Sequence, residues 1–239
     1  FEKEATNKAV DDTAGKVIYY DSTIAQVFYF SSSGGRTEAV KNVWSSDIPY
    51  LQSVKDEYES GNSYNYNWEK TLTVANINNI ITSRGNTIGN ILGINISKTS
   101  EAGRAIEVII LGSKGDVILE KARCRDVLGL PSQWYNITTN ADISVWDNSK
   151  KSIIKMQPSG RKVITNEGIK TVNLDTKVFL MASEDTAIEI TGAPTTYTFR
   201  GKGYGHAVGM SQAGAKGMAE AGFTFEEILS HYFVGTYIE

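Results

Sequence analysis

The chain has 239 residues, 41% hydrophobic and 21% charged, which suits a soluble globular protein of one large domain or two small ones. A formal net charge of −3 offers no basic surface to nucleic acid, and no stretch approaches the roughly 18–20 uninterrupted apolar residues of a membrane span. The single cysteine, Cys124, excludes an internal disulfide and a cysteine-based zinc cage, and is expected to be a small buried hydrophobe.

The N-terminal FEKEATNKAV has no initiator methionine and no apolar core of a signal peptide. The sequence is therefore expected to be an excised piece whose upstream part held any address. EKEATNKAVDDTAG predicts a helix closed by Gly15, with Ala5, Ala9 and Val10 on one side. KVIYYDSTIAQVFYF predicts two β-rich runs in a hairpin around Asp21–Thr23. A small-residue turn, SSSGGRTEA, follows, then a loop with Trp44 and a strand at IPYLQSV. Residues 71–92 are expected to be helical in part, capped by Thr73 ahead of Val74, Ile77, Ile80 and Ile81, with Gly85 and Gly89 interrupting the pattern. ILGINISK and AIEVIILG alternate like strands around a turn at Gly103, and KARCRDVLGLPSQWYNI predicts a short helix that stops before Pro131. From 142 to 200 short β-type runs recur at roughly 8–12-residue spacing, divided by turn signals such as Asn166–Gly168. Beyond them, Thr224 and Glu227 have capping-box spacing, and Gly235 closes that helix. The expected fold class is α+β: mixed helices with several short antiparallel sheets.

Residues 201–218 read GKGYGHAVGMSQAGAKGM, with six glycines and one of only two histidines. Glycine loses more backbone freedom on folding than other residues, so this density needs a cause. A dinucleotide fingerprint does not fit: Gly203 and Gly205 are followed by Gly209, one residue too far, and no second strand of a βαβ unit follows. GMSQA nearly matches the serine nucleophile elbow, but Glu226 and His231 lie on one short helix and do not converge on Ser211. His206 and His231 lack metal-ligand spacing, so neither metal nor cofactor is expected. What remains is the wall of a cleft. Glycines admit a ligand to the backbone, and Ser211 and Gln212 fall near the start of a helix, where free N–H groups favour polar oxygens. Such hydrogen-bonding groups suit neutral, hydroxyl-rich ligands, which points towards sugars.

GKGYGHAVGMSQAGAKGMAEAG together with ILSHYFVGTYI resembles the C-terminal signature of the stage II sporulation protein D family, also called the SpoIID/LytB or amidase-enhancer family. The segments from TAGKVIYYDS to YLQSVKD, GRAIEVIILG and RCRDVLGLPSQWYNI resemble its earlier blocks, so about three-quarters of the chain is covered and 142–195 is least characteristic. Ala207 stands where the family usually has glycine, and Phe30 where some members have histidine. The resemblance implies a peptidoglycan lytic transglycosylase of spore formation and engulfment. Such an enzyme cuts glycan strands freed of stem peptides and leaves 1,6-anhydro ends. Its partners would be those strands, a cell-wall amidase and other sporulation proteins. Its location would be the extracytoplasmic cell-wall space, with membrane attachment only through an N-terminal anchor.

The resemblance also implies that the family's catalytic glutamate lies upstream of Phe1, so this chain alone is expected to lack it. Glu38 is then the candidate acid within the chain. The substrate-binding candidates are Ser32, Ser33, Gly34, Gly35, Glu38, Gly205, His206, Ser211 and Gln212, with residues after Ser31 forming the half of the cleft that faces the glycine stretch. Trp44 either stacks on a sugar or is buried. The expected division is 1–141 as the core of the family domain, 142–200 as a strand-rich segment, and 201–239 as the motif and helices completing it. Two other readings stay open: a non-catalytic glycan-binding module or amidase activator, and glycines that serve packing alone.

Overall fold

A computed structural model describes residues 3–64, 66–156, 162–165, 168–171, 177–183, 186–191 and 194–239. In chain order they form α1 (Glu4–Asp12), β1 (Ile18–Tyr20), β2 (Thr23–Ile24), β3 (Tyr29–Phe30), a 3-10 turn (Val40–Asn42), β4 (Asn67–Thr73), α2 (Val74–Thr82), β5 (Ile91–Thr99), β6 (Ala105–Gly112), β7 (Val117–Glu120), α3 (Arg123–Asp126) and β8 (Tyr135–Thr139). Three antiparallel pairs follow: β9 (Ile143–Asp147) with β10 (Ser152–Met156), β11 (Lys162–Thr165) with β12 (Gly168–Thr171), and β13 (Lys177–Ser183) with β14 (Thr186–Thr191). The chain ends with β15 (Thr196–Lys202), β16 (Met210–Ser211), α4 (Gln212–Glu220), α5 (Phe225–Tyr232) and β17 (Tyr237–Ile238). The fold is α+β, with small, mostly antiparallel sheets. No helix among the described residues is long and apolar enough to cross a membrane.

These elements divide into two compact units, Phe1–Tyr66 with Gly203–Glu239, and Asn67–Lys202. The composition change near residue 142 falls inside the second unit. There β15 pairs with both β4 and β8, so the hairpins from β9 to β14 are inserted between two neighbouring strands of one sheet. The Asn166–Gly168 turn signal includes residues 166 and 167, which lie outside the described residues.

Local sequence explains much of the second unit. The Thr73 hydroxyl accepts the Asn76 N–H at 3.0 Å while the Asn76 side chain accepts the Thr73 N–H, a reciprocal cap that fixes the start of α2. The inward face of α2 buries Ile77 and Ile81, worth roughly 1.5–3 kcal/mol each. They join Trp68, Val108, Ile110, Leu119, Leu128, Tyr197 and Phe199 in one core. Gly103, at φ +84°, turns the chain between β5 and β6. Residues 67–73, up to the Thr73 cap, form strand β4, with Trp68 and Leu72 on its inner side. Cys124 is buried, its thiol pushed up to about 12 by burial, which leaves it inert.

In the first unit, Asp21 and Ser22 both have positive φ (46° and 61°), the two-residue geometry whose twist matches a hairpin. It joins β1 to β2, and β17 pairs on the other side of β1. The strand expected at IPYLQSV is not among the named strands. Residues 36–40 and 51–56 instead form an irregular ladder, with the Thr37 N–H bonded to the Val54 carbonyl (2.9 Å) and the Val40 N–H to the Leu51 carbonyl (3.0 Å). The left-handed Gly34 and Gly35 before it and the 3-10 turn after it keep the register from extending.

Candidate functional site

The two segments singled out in the sequence run side by side in the first unit. Strand β3 pairs in parallel with β16, Tyr29 opposite Met210 and Phe30 opposite Ser211. Ser32 and Tyr204 exchange both backbone hydrogen bonds, at 3.1 and 2.8 Å. The Glu38 N–H donates to the Ala207 carbonyl (2.7 Å), and the Ala213 N–H to the Ser31 carbonyl (3.0 Å). Neighbours bonded in this way are about 4.8 Å apart, too close to admit a sugar between them. The segments therefore form one continuous wall and do not face each other as two halves of a cleft.

This closeness accounts for the glycines. A Cβ on Gly203 would lie 2.7 Å from the Ser32 carbonyl oxygen, and one on Gly209 2.3 Å from that of Phe28. Both glycines also sit at φ +76°. Ala207 adopts φ +65° with a side chain, at a position where glycine would be unstrained.

Most of the candidate polar groups point inward. Ser32, Ser33, Glu38 and Ser211 are each at most 2% exposed. Both serine hydroxyls donate to the carboxylate of Glu59, which also accepts the backbone N–H groups of Ser33 and Gly34, each at 2.9 Å. The Ser63 hydroxyl adds a further donor at 2.8 Å. Glu59, itself 7% exposed, thus fills the nest of amides that the SSGG turn creates. It is the main residue that sequence reasoning missed, and its partners in the SSGG turn lie 25–27 residues away, where no local pattern announces them.

Asp56 is a second buried carboxyl, 1% exposed, that accepts the Tyr232 hydroxyl at 2.9 Å. Burial raises its pKa, while the hydroxyls of Ser33, Tyr232 and Ser211 pull it partly back and Glu59 adds repulsion. Burial likewise raises the Tyr232 phenol. Gly214 in α4 lies directly against this pair.

Glu38 has a structural position. Its Oε1 accepts the Ala39 N–H and the Asn42 side-chain amide, each at 2.9 Å, which ties down the 3-10 turn. At 1% exposure it presents no carboxyl to a glycosidic oxygen. Ser211 caps α4, its hydroxyl accepting the Gly214 N–H at 3.1 Å. The Gly35 N–H donates to the Ser33 hydroxyl oxygen at 2.9 Å. Gly205, at φ +112°, packs its backbone on Phe30.

The surface-reaching candidates are His206, half-buried, and Gln212, exposed at the first turn of α4. The His206 ring lies 5.0 Å from Trp44, 5.6 Å from Phe30 and 6.5 Å from Phe28, measured between centroids. The Val208 N–H donates to its Nδ1 at 3.1 Å, so the neutral ring carries its proton on Nε2. Tyr29 and Tyr204 are exposed on the same segments. Trp44 is half-buried and packs on His206, between the two roles expected for it. The wall thus offers aromatic faces and an imidazole, without an accessible acid among these residues.

Several curated proteins are similar to this chain. The amidase enhancer of Bacillus subtilis (strain 168) is 31% identical over 241 residues, covering 97% of this chain and 32% of that protein. Stage II sporulation protein D of the same strain is 26% identical over 233 residues, covering 96% of the chain and 50% of the relative. Its namesake in Bacillus amyloliquefaciens is 26% identical over 236 residues, covering 98% and 50%. The chain thus spans 32% to 50% of the length of these relatives. A family model described as a domain of unknown function (DUF8618) matches residues 50–160.

Proposed function

The chain belongs to the family of stage II sporulation protein D and the amidase enhancer, and from that premise we propose that it is the glycan-engaging part of a peptidoglycan lytic transglycosylase. In this reading the intact protein acts in the extracytoplasmic cell-wall space during spore formation and engulfment, attached to the membrane through an N-terminal anchor. The observation that carries the reading is the meeting of the two motif-bearing segments, 29–38 and 203–214, in one hydrogen-bonded wall with His206 and its aromatic neighbours at its surface.

In the proposed reaction a carboxylic acid gives its proton to the glycosidic oxygen as the C1–O bond breaks. The resulting carboxylate then takes the proton of the muramoyl 6-hydroxyl as that oxygen bonds to C1. No water is consumed, unlike the two-carboxylate hydrolases. Glu38, Asp56 and Glu59 are buried by their structural partners, so the wall's part is to bind and orient the sugar while the acid is supplied from elsewhere in the intact protein. Digestion of peptide-free glycan strands by the intact protein, read by mass spectrometry, tests this. Products with 1,6-anhydro ends are expected; ordinary reducing ends would identify a hydrolase and overturn it.

The name of the 31%-identical relative favours a second reading, activation of a cell-wall amidase. No glycan products from the intact protein, together with faster amidase turnover in its presence, would select that reading.

A further inference from the structure

The second unit presents an exposed polar face unrelated to the glycine motif. In the β4–β15–β8 sheet, Lys202 is opposite Asn67, Arg200 lies between Glu69 and Asn136, and Thr198 lies between Thr71 and Thr138. Side chains alternate across a strand, so Trp68, Tyr197, Phe199 and Tyr135 enter the core and the intervening residues face solvent. Trp134 continues the alternation one residue before β8. Its carbonyl accepts the Lys202 N–H at 2.9 Å, which places it beside Lys202.

A groove of about 550 Å³ lies over this corner, with Trp134, Lys202, Asn67, Asn136 and Gly103 among its lining residues. Trp134 is half-buried, and the guanidinium of the buried Arg104 lies 4.8 Å from its indole ring. The Lys202 ammonium is 5.5 Å from the same ring and makes no ion pair among the described residues. The Trp134 indole N–H and the side-chain amides of Asn67 and Asn136 likewise have no hydrogen-bond partner among the described residues. Gly103 borders the indole edge, where a Cβ would come within 3.3 Å of Nε1.

The chemistry of this corner is specific in kind. An indole plate accepts the apolar face of a pyranose, and two amides match hydroxyl or N-acetyl groups. One cation suits one carboxylate. Arg200 is already paired with Glu69 at 2.6 Å, so the face is not a polyanion track.

We propose that this corner is a subsite for a carboxylated amino sugar, the peptide-free muramoyl unit of a glycan strand. Trp134 stacks on the sugar and Lys202 pairs with its lactyl carboxylate. Where a stem peptide is still attached, that carboxylate is a neutral, bulky amide, so Lys202 makes the subsite favour stripped strands. The inference rests on the peptidoglycan reading above and adds to it the means of telling stripped from unstripped glycan.

Calorimetric titration of the full 239-residue chain tests it with three ligands: a peptide-free N-acetylglucosamine–N-acetylmuramic acid tetrasaccharide, the same tetrasaccharide bearing stem peptides, and an N-acetylglucosamine tetramer. The peptide-free ligand is expected to bind about three- to fivefold tighter than the tetramer, with the peptide-bearing one weakest. Lys202→Gln, on an exposed side chain, should remove the advantage over the tetramer while leaving tetramer binding unchanged. Trp134→Ala should weaken both by about tenfold with an unchanged circular dichroism spectrum. If Trp134→Ala and Lys202→Gln both bind like the wild type, the subsite is wrong and the cell-wall reading stands. If the wild-type chain binds none of the three ligands, subsite and glycan reading fail together.

Discussion

The motif-bearing wall of the first unit and the open sheet face of the second are both rich in polar residues, but they direct them oppositely. In the first unit Ser32, Ser33, Ser211 and Glu38 point into the interior, and Glu59 accepts donors from Ser32, Ser33, Gly34 and Ser63. In the second unit the strand period sends Asn67, Asn136 and Lys202 outward, and Trp134 and Lys202 border one groove. A dense, distinctive motif can therefore be scaffold, holding a few surface groups such as His206 in place. A plain alternating strand can carry the recognition chemistry. Substitutions should divide accordingly, with stability lost at the buried motif residues of the first unit and binding lost at the surface groups, His206 and the open sheet face of the second unit.

The largest effect is expected at Gly214. A Cβ there would lie 2.0 Å from the Asp56 carboxylate and 2.2 Å from the Tyr232 hydroxyl. Gly214→Ala should cost about 3 kcal/mol of stability, measured by urea unfolding. Glu59→Ala removes the acceptor for buried amides and hydroxyls and should cost about 2–3 kcal/mol. A Glu59→Ala protein as stable as the wild type would show that the SSGG turn does not depend on its buried anion.

Asp56 adds a pH signature. Burial raises its folded pKa above the ordinary aspartate value of 3.8, so between those two values the folded state holds the proton more often than the unfolded state. Its contribution is therefore fully present below the unfolded value and lost as pH rises through the folded one. Unfolding midpoints should show the wild type losing stability relative to Asp56→Asn across that window; a parallel pH dependence in both proteins would contradict the assignment.

Smaller effects are expected at Ala207 and on the sheet face. Ala207→Gly relieves a left-handed backbone but gives up a buried methyl and adds unfolded-state entropy, so it should stay within about 1 kcal/mol of neutral. Lys202→Gln and Asn136→Ala should leave the unfolding midpoint unchanged, because both side chains are exposed.

What the sequence made legible was local. The caps at Thr73 and Thr224, the Asp21–Ser22 hairpin and the Gly103 turn each depend on residues within a few positions. The adjacency of 29–38 and 203–214 was reachable only through family resemblance, since nothing local links segments so far apart. Asp56 and Tyr232, 176 residues apart, carry no shared pattern at all. Trp134 did leave a signal. WYNIT alternates outward and inward residues with period two, but this run beyond Pro131 is short and follows a helix that ends at Asp126, so the sequence alone does not mark it as a strand.

Carbene footprinting of the full chain, with and without peptide-free glycan strands, tests the central claim most directly. Glycan should reduce labelling at Trp134, Asn136 and Lys202, and at His206 and Tyr204, while Ser32, Ser33 and Glu59 stay unlabelled in both states. Strong labelling of Glu59 and the SSGG serines in the free chain, suppressed by glycan, would contradict it, because the buried scaffold would then be the binding surface itself.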